Sequence, residues 1–262
     1  KGTDLLFITA GMGGGTGTGA APIIAQIAHD KGILTVGVVT KPFKFEGANR
    51  MRQAEMGIAN LTDKVDSLII IPNDRLKFVT DQKITFANAF GIADDVLKQA
   101  VTSISELVGY SEQVIINLDF ADVSAVMRDA GRAHMGVGIA SGRDKAEQAA
   151  QAAVSSPLLE TSIDGATGVL VNVTGSSELT LDDVENAAGI VQQAANPNAN
   201  IIFGATSSDS FQDEMRVTVI ATGFDTSDKP QTEEAASTEA KPEDAPKGDI
   251  SDIDEIFKIF NR

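Results

Sequence analysis

A chain of 262 residues that is 42% hydrophobic and 22% charged has ordinary globular composition, with room for two domains or for one domain and a tail. Its formal net charge of -16, with no basic patch, repels a phosphate backbone and argues against nucleic acid as a partner. Zero cysteines and two histidines exclude a disulfide framework, a thiolate nucleophile and cysteine-ligated zinc, and no apolar run reaches the roughly 18–20 residues that cross a bilayer, which predicts a soluble chain without direct membrane insertion.

In chain order, the apolar run LLFI predicts a buried strand at 4–8 that enters the glycine cluster GMGGGTGTG at 11–19. A helix is predicted from near Ala20, with Ile23, Ile24, Ile27 and Ala28 at helical spacing and Gly32 as its left-handed cap. Strand 34–39, helix 47–61, strand 67–71, a long helix 86–108 and strand 113–118 continue the alternation, and strands separated by helices imply a parallel sheet. After Asp119 come helix 121–128, strand 135–140, helix 144–154, strand 168–174, helix 181–195 and strands 200–205 and 215–223. The consecutive late strands predict a mixed sheet. The fold class is therefore α/β: a partial Rossmann-like, parallel-sheet domain at 1–108 whose long central helix joins it to a second α/β domain with a mixed sheet at 109–224.

Beyond Phe224 the composition turns to Thr, Ser, Glu, Ala, Lys, Pro and Asp, which predicts a disordered acidic linker at 225–249. In 250–262, Ile250, Ile253, Phe257 and Phe260 fall on one helical face, the pattern of a partner-binding peptide on a tether or of a frayed terminus. The chain opens on Lys1 rather than Met and reaches its first strand almost at once, which predicts truncation.

A glycine cluster between a strand and a helix lets backbone N–H groups turn around an anion, and the helix N-terminus adds partial positive charge. A Walker loop would need Lys and Ser or Thr after its last glycine, whereas Ala20 and Ala21 follow Gly19. A dinucleotide fingerprint threads through Gly15, Gly17 and Ala20 but expects an acid at the end of the next strand, where Thr40 and Lys41 stand. The stretch GGGTGTG at 13–19 fits the tubulin-like signature without a gap, its two threonine hydroxyls adding donors to the glycine amides.

With FITAGMGGGTGTGAAP at 7–22, VVTKPFKFEG at 38–47, IIPNDRL at 70–76, FANAFGIADDVL at 86–97, NLDFADV at 117–123 and SPLLE at 156–160, the chain resembles FtsZ, the family of bacterial cell-division GTPases with a tubulin-like fold. The resemblance implies that Gly13, Gly14, Gly15, Thr16, Gly17 and Thr18 hold phosphates, that Thr40 and Pro42 shape the sugar pocket, and that Glu46 and Arg50 contact ribose and phosphate. It places Asn73 and Asp94 at the base, with Phe90 packing on the ring; an acceptor-only carboxylate suits the N–H donors of guanine. It makes Asp119, Asp122 and nearby Asn117 the catalytic set, inserted into the next subunit's pocket to position the attacking water. GTP and GDP would be substrate and product, with Mg2+ accompanying the nucleotide.

Plainer readings stand beside these. Glu46 and Arg50 suit an ordinary ion pair, Phe90 a core aromatic, Asp94 beside Asp95 a solvated face, and Asp119 with Asp122 a helix cap and its first-turn acid. The stretch GYSEQVIIN at 109–117 is longer than the family's usual link, and Ser103 stands where glycine is common. The family's earlier phosphate loop lies upstream of Lys1, so the expectation is that this chain alone neither binds GTP tightly nor polymerises. The resemblance further implies head-to-tail filaments of the division ring, a cytoplasmic mid-cell location, and membrane-tethering and regulatory partners for 250–262. Two rivals remain: a dinucleotide-dependent oxidoreductase, opposed by the missing ribose acid, and a non-hydrolysing filament protein switched by nucleotide, opposed by Asp119 and Asp122.

Overall fold

The structure is a computed structural model that describes residues 2–78, 84–108, 114–116, 119–159, 162–208 and 210–224. The predicted linker 225–249 and terminal peptide 250–262 lie outside the described residues, as do Asn117 and Glu112.

Eight strands form one sheet: β1 Leu5–Gly11, β2 Leu34–Lys41, β3 Ser67–Pro72, β4 Val114–Ile116, β5 Gly131–Ser141, β6 Gly168–Gly175, β7 Asn200–Ser207 and β8 Glu214–Thr222, in the spatial order β1-β2-β3-β5-β8-β6-β7-β4. The first half, β1 to β3, is parallel and built of near-continuous apolar strands, as a sheet covered on both faces requires. The second half is mixed, since β8 runs antiparallel to both β5 and β6 while β6 and β7 are parallel. Strand β5 unites the halves. Its first residues, Gly131, Arg132 and Ala133, pair with β3, and from His134 onward it pairs with β8. The sequence reading started this strand four residues late because GRAH lacks an apolar run.

The join depends on one buried carboxylate. Asp66, 3% exposed, accepts from the Thr35 N–H at 2.7 Å and from the Asp129 N–H at 3.3 Å, and its carbonyl accepts from Gly131 N. It thus ties the starts of β2, β3 and β5 together. Asp66→Ala orphans the buried Thr35 N–H and releases the part-buried Asp129 N–H, and is expected to cost about 1–3 kcal/mol of stability in chemical denaturation.

Among the described residues six α-helices cover the sheet: α1 Thr16–His29, α2 Ala48–Thr62, α3 Ala89–Val108, α4 Phe120–Met127, α5 Lys145–Val154 and α6 Leu181–Ala194. The 20-residue α3 buries Ala89, Ala93, Val96, Ala100, Ile104 and Leu107 against both halves of the sheet, from Val36 and Ile71 to Leu170 and Ile220. Its length of about 30 Å lets it reach both. Three polar contacts meet here, of which the sequence had singled out only Ser103. Ser103 is buried with its hydroxyl 3.4 Å from Thr218 Oγ1, Asn172 Nδ2 donates to Glu106 Oε2 at 3.4 Å, and Arg216 sits over the Phe211 ring at 4.9 Å. Burial holds the Arg216 guanidinium below its usual pKa, an effect that Glu106 opposes.

On the other face, α1 and α2 cover β1–β3 while α5 and α6 cover β5–β8. Helix α1 turns Ala21, Ala25 and Ala28 inward and leaves Ile23, Ile24 and Ile27 exposed, because small residues let its backbone approach the strand and α2 closely. A Cβ on Gly57 would come 2.4 Å from Thr18 Cγ2. Helix α5 lies closer still. Cβ atoms on Gly136 and Gly138 of β5 would meet the Ala153 and Ala149 carbonyl oxygens at 2.1 and 2.0 Å, so Gly138→Ala is expected to cost ~3 kcal/mol or more, read as a fall in Tm.

Candidate functional site

Because β1, β2 and β3 are parallel and in register, the segments that follow Gly11, Lys41 and Pro72 leave the sheet at one edge, the carboxyl-end crevice where open α/β sheets hold ligands. Of the residues that the sequence assigned to phosphate or sugar, Thr40 stands next to last in β2 and all the others are in these segments. Met12 N–H donates to Thr40 O at 3.0 Å, closing the first loop against the second.

Helix α1 starts at Thr16 rather than near Ala20, so the second half of GGGTGTG is already helical. Gly15 occupies the cap without a side-chain hydrogen bond, which leaves the first-turn N–H groups without the partner that Ser or Asp would supply. That is the geometry an anion completes. Gly13 is different from its neighbours. It has φ of 96°, its N–H donates to Thr18 Oγ1 at 2.9 Å, and a Cβ there would come 2.6 Å from Arg50 O. Gly13 and Thr18 therefore shape the loop, whereas Gly14, Gly15 and exposed Thr16 line it. No neighbour stands within 4 Å of a Cβ at Gly14 or Gly15.

In the second loop Thr40 and Pro42 are buried, and Glu46 works in two directions. One oxygen accepts from the Phe43 N–H at 2.8 Å, and the other pairs with Arg50 Nε at 3.1 Å. The ordinary ion pair is thus present, and it also fixes Arg50 beside the glycine loop. Arg50 keeps an exposed side chain with further N–H donors suited to a phosphate.

The third segment is a 3-10 turn at Asn73–Phe78. Asn73 is 4% exposed and its Oδ1 is buried with no partner, an acceptor that needs a donor. The turn is pinned on two sides, by Asp74 accepting from Lys44 N–H at 3.2 Å and by Arg75 donating to the carbonyls of Pro157 and Leu159 at 3.0 and 2.6 Å. The SPLLE stretch thereby acquires a structural task. Asn73 opens onto a cavity of about 320 Å³ lined also by Phe43, Phe45, Asp74, Lys77, Ile84, Thr85, Phe86 and Ala89. A larger depression of about 570 Å³ lies along the outer side of α5 and involves no strand end or glycine loop.

Phe90 and Asp94, one helical turn apart on α3, share an exposed face outside this cavity lining. Phe90 is joined to the rest by rings: it meets Phe43 edge-on at 5.7 Å and Phe45 at 6.4 Å, while Phe45 stacks on Phe43 at 5.1 Å and meets Phe86 at 5.0 Å. Sequence reasoning missed Phe43, Phe45 and Phe86, although PFKF and KITF carry the signal.

The acidic pair is elsewhere. Asp119 is the N-cap of α4, its Oδ1 accepting from the Asp122 N–H at 2.8 Å, so the helix-cap reading holds for its geometry. Both residues are exposed, and among the described residues neither carboxylate forms an ion pair. The far end of α4 reaches the starting ends of β2 and β3, through Ser67 and Asp66. The glycine loop leaves β1 at the opposite ends of those strands, and β3 alone spans about 20 Å.

Two family models match the chain. The Tubulin/FtsZ family GTPase domain matches residues 1–81, and the FtsZ family C-terminal domain matches residues 131–225. An empty FtsZ dimer from M. jannaschii is similar at 43% identity and a TM-score of 0.80, over 84% of this chain and 63% of that one. A mutant FtsZ from the same organism gives 43% and 0.80, over 84% of this chain and 66% of that one. A GTPγS-bound protofilament of CetZ2 from Haloferax volcanii, at 20% identity, TM-score 0.64 and coverage of 86% and 66%, shares the fold. Fold and glycine loop thus define the tubulin/FtsZ class of α/β proteins. Within that class the chain belongs to the FtsZ family. It spans 63% and 66% of the length of the two FtsZ chains it matches.

Proposed function

We propose that the protein binds GTP at the carboxyl ends of β1–β3, hydrolyses it, and polymerises head to tail into cytoplasmic filaments of the division ring at mid-cell. The observation that carries this reading is the open first turn of α1 behind the GGGTGTG loop, flanked by Arg50 and by the unpartnered Oδ1 of Asn73. First-turn amides suit phosphate, and a buried acceptor suits the N–H edge of guanine. The FtsZ relatives of known structure include a dimer, which supports self-association.

Residues 1–108 serve as the nucleotide-holding domain and 109–224 as the domain that presents the acids. Because α4 is anchored at the ends of the strands opposite to the glycine loop, one subunit would not bring its own Asp119 and Asp122 to its own nucleotide. A second subunit stacked in the same orientation can. Such a contact is heterologous and repeats into an open filament. Phosphoryl transfer asks the protein for in-line positioning of water and for charge compensation, and the acids of one subunit would orient water at the γ-phosphate held by the next. Mg2+ compensates phosphate charge when bound. Among the described residues no cluster of three His, Asp or Glu side chains offers it a site, so phosphate oxygens would supply most of its ligands. The peptide 250–262 would bind membrane-tethering and regulatory division proteins.

The test is phosphate release against protein concentration in the full-length protein. A threshold, with release per subunit rising once filaments form, is expected. Release linear in concentration from the lowest values, or GTP-dependent filaments without any release, overturns the assembly-completed site; the second outcome identifies a non-hydrolysing switch.

A further inference from the structure

The two ends of α4 are held in unlike ways. At its start the helix supplies its own cap through Asp119. At its end, where a helix leaves carbonyls without partners, buried hydroxyls arrive from two different strands. Ser67 Oγ of β3 donates to Met127 O at 2.6 Å, and Thr222 Oγ1 of β8 donates to Val126 O at 2.9 Å and also approaches Gly168 O at 3.3 Å. Both side chains are buried, Ser67 at 0% and Thr222 at 1% exposure. Just beyond, Asp129 turns with φ of 52° and is held by Asp66. Val123, Val126 and Met127 bury the helix in the core. Apolar contact tolerates sliding and rotation, whereas hydrogen bonds are directional and set both.

We propose that Ser67 and Thr222 are positioning residues for the acidic pair: they clamp the last turn of α4 from both halves of the sheet and so fix where its first turn holds Asp119 and Asp122. This rests on the reading that those acids complete a neighbour's GTP site. Eight residues of helix make a lever about 12 Å long, so a tilt of about 10° at the clamp moves the acids about 2 Å. A misplacement of about 1 Å can cost a positioned group about 100-fold in rate. Strand β3 also carries the clamp at its start and Asn73 just after its end, so one rigid strand sets the spacing between donor and receiver sites.

The experiment compares Thr222→Val, Thr222→Ser, Ser67→Ala and Asp122→Ala in the full-length protein. For each, GTP affinity, polymer mass, Tm and phosphate release per polymerised subunit at saturating GTP are measured. Thr222→Val and Ser67→Ala are expected to lose about tenfold or more in release while GTP affinity stays within about twofold, and Thr222→Ser, which keeps the hydroxyl, is expected to recover most of the rate. Unchanged release in Thr222→Val and Ser67→Ala, beside a loss in Asp122→Ala, removes the clamp and leaves the catalytic reading intact. Parallel loss of affinity, Tm and release, with no recovery in Thr222→Ser, reduces the two residues to general stability and also overturns the proposal. Normal release in Asp122→Ala removes the catalytic reading itself, and the clamp with it.

Discussion

Asp122→Ala is expected to lower phosphate release by assembled filaments by at least ~100-fold, the usual worth of a positioned acid or base, with GTP affinity unchanged. The prediction is strong because the two acids have unequal structural duties. Asp119 Oδ1 is engaged in capping α4, whereas Asp122 offers its backbone N–H to that cap and has its carboxylate exposed. Removing the Asp122 side chain leaves the cap in place, so the loss reports chemistry rather than unfolding. Asp119 needs a gentler change. Asp119→Asn preserves an N-cap acceptor and removes the charge, while Asp119→Ala adds about 1 kcal/mol of lost capping. A rate loss in Asp119→Asn comparable to that in Asp122→Ala would make both carboxylates catalytic; a loss confined to Asp119→Ala would assign Asp119 to the cap alone. Mixed filaments refine the result, because an Asp122→Ala subunit still receives its neighbour's acids, and release should fall in proportion to the fraction of variant donors.

What the sequence revealed about this arrangement follows from where local chemistry decides structure. The helices predicted between residues 20 and 195 are all present, and the parallel and mixed halves of the sheet are where the strand order put them, except that β4, read as part of the parallel alternation, pairs antiparallel with β7 at the edge of the mixed half. The start of α1 was misplaced by four residues because glycines read as loop, yet at this helix N-terminus Gly17 lies where close approach to Ala10 matters more than propensity. The start of α3 shifted from Phe86 to Ala89 because Asn88 Oδ1 accepts from the Thr85 N–H at 2.6 Å and holds 85–88 as a turn. The first residues of β5 were missed altogether. Their pairing with β3 is imposed by Asp66, 65 positions before Gly131, and no window of local sequence contains both.

The site divides in the same manner. The loops assigned to phosphate and sugar were legible as loops at the strand ends because a glycine pattern encodes backbone geometry directly. The base side was legible only in part. Asn73 lies in the third loop as expected, but the ring system of Phe43, Phe45 and Phe86 that connects this region to Phe90 is assembled from three segments by tertiary contact. Local sequence contains the rings without their meeting point. The clamp on α4 has no sequence signal of any kind, since an isolated Ser in DSL and Thr in ATG look like ordinary strand residues.

In the full-length protein, Gly13→Ala is expected to weaken GTP binding by about 100-fold or more and to lower Tm, and both effects have one origin. The residue has φ of 96°, a region that costs a non-glycine residue about 1–3 kcal/mol. Its new Cβ would lie 2.6 Å from Arg50 O and 2.9 Å from Arg50 Cγ, so α2 must retreat from the loop. Arg50 then carries Glu46 with it through their 3.1 Å pair, and Glu46 releases the Phe43 N–H. Two of the three loops of the candidate site are thus displaced by one methyl group. Gly14→Ala separates this from the effect of occupying the site, because its φ is not positive and its Cβ meets nothing within 4 Å. That variant is expected to keep its Tm and still lose about tenfold or more in GTP affinity, since the space its methyl enters is the space assigned to phosphate. Unchanged affinity in Gly14→Ala would move the phosphates toward Gly15 and Thr16 at the helix start; unchanged affinity in Gly13→Ala as well would remove the nucleotide from this loop.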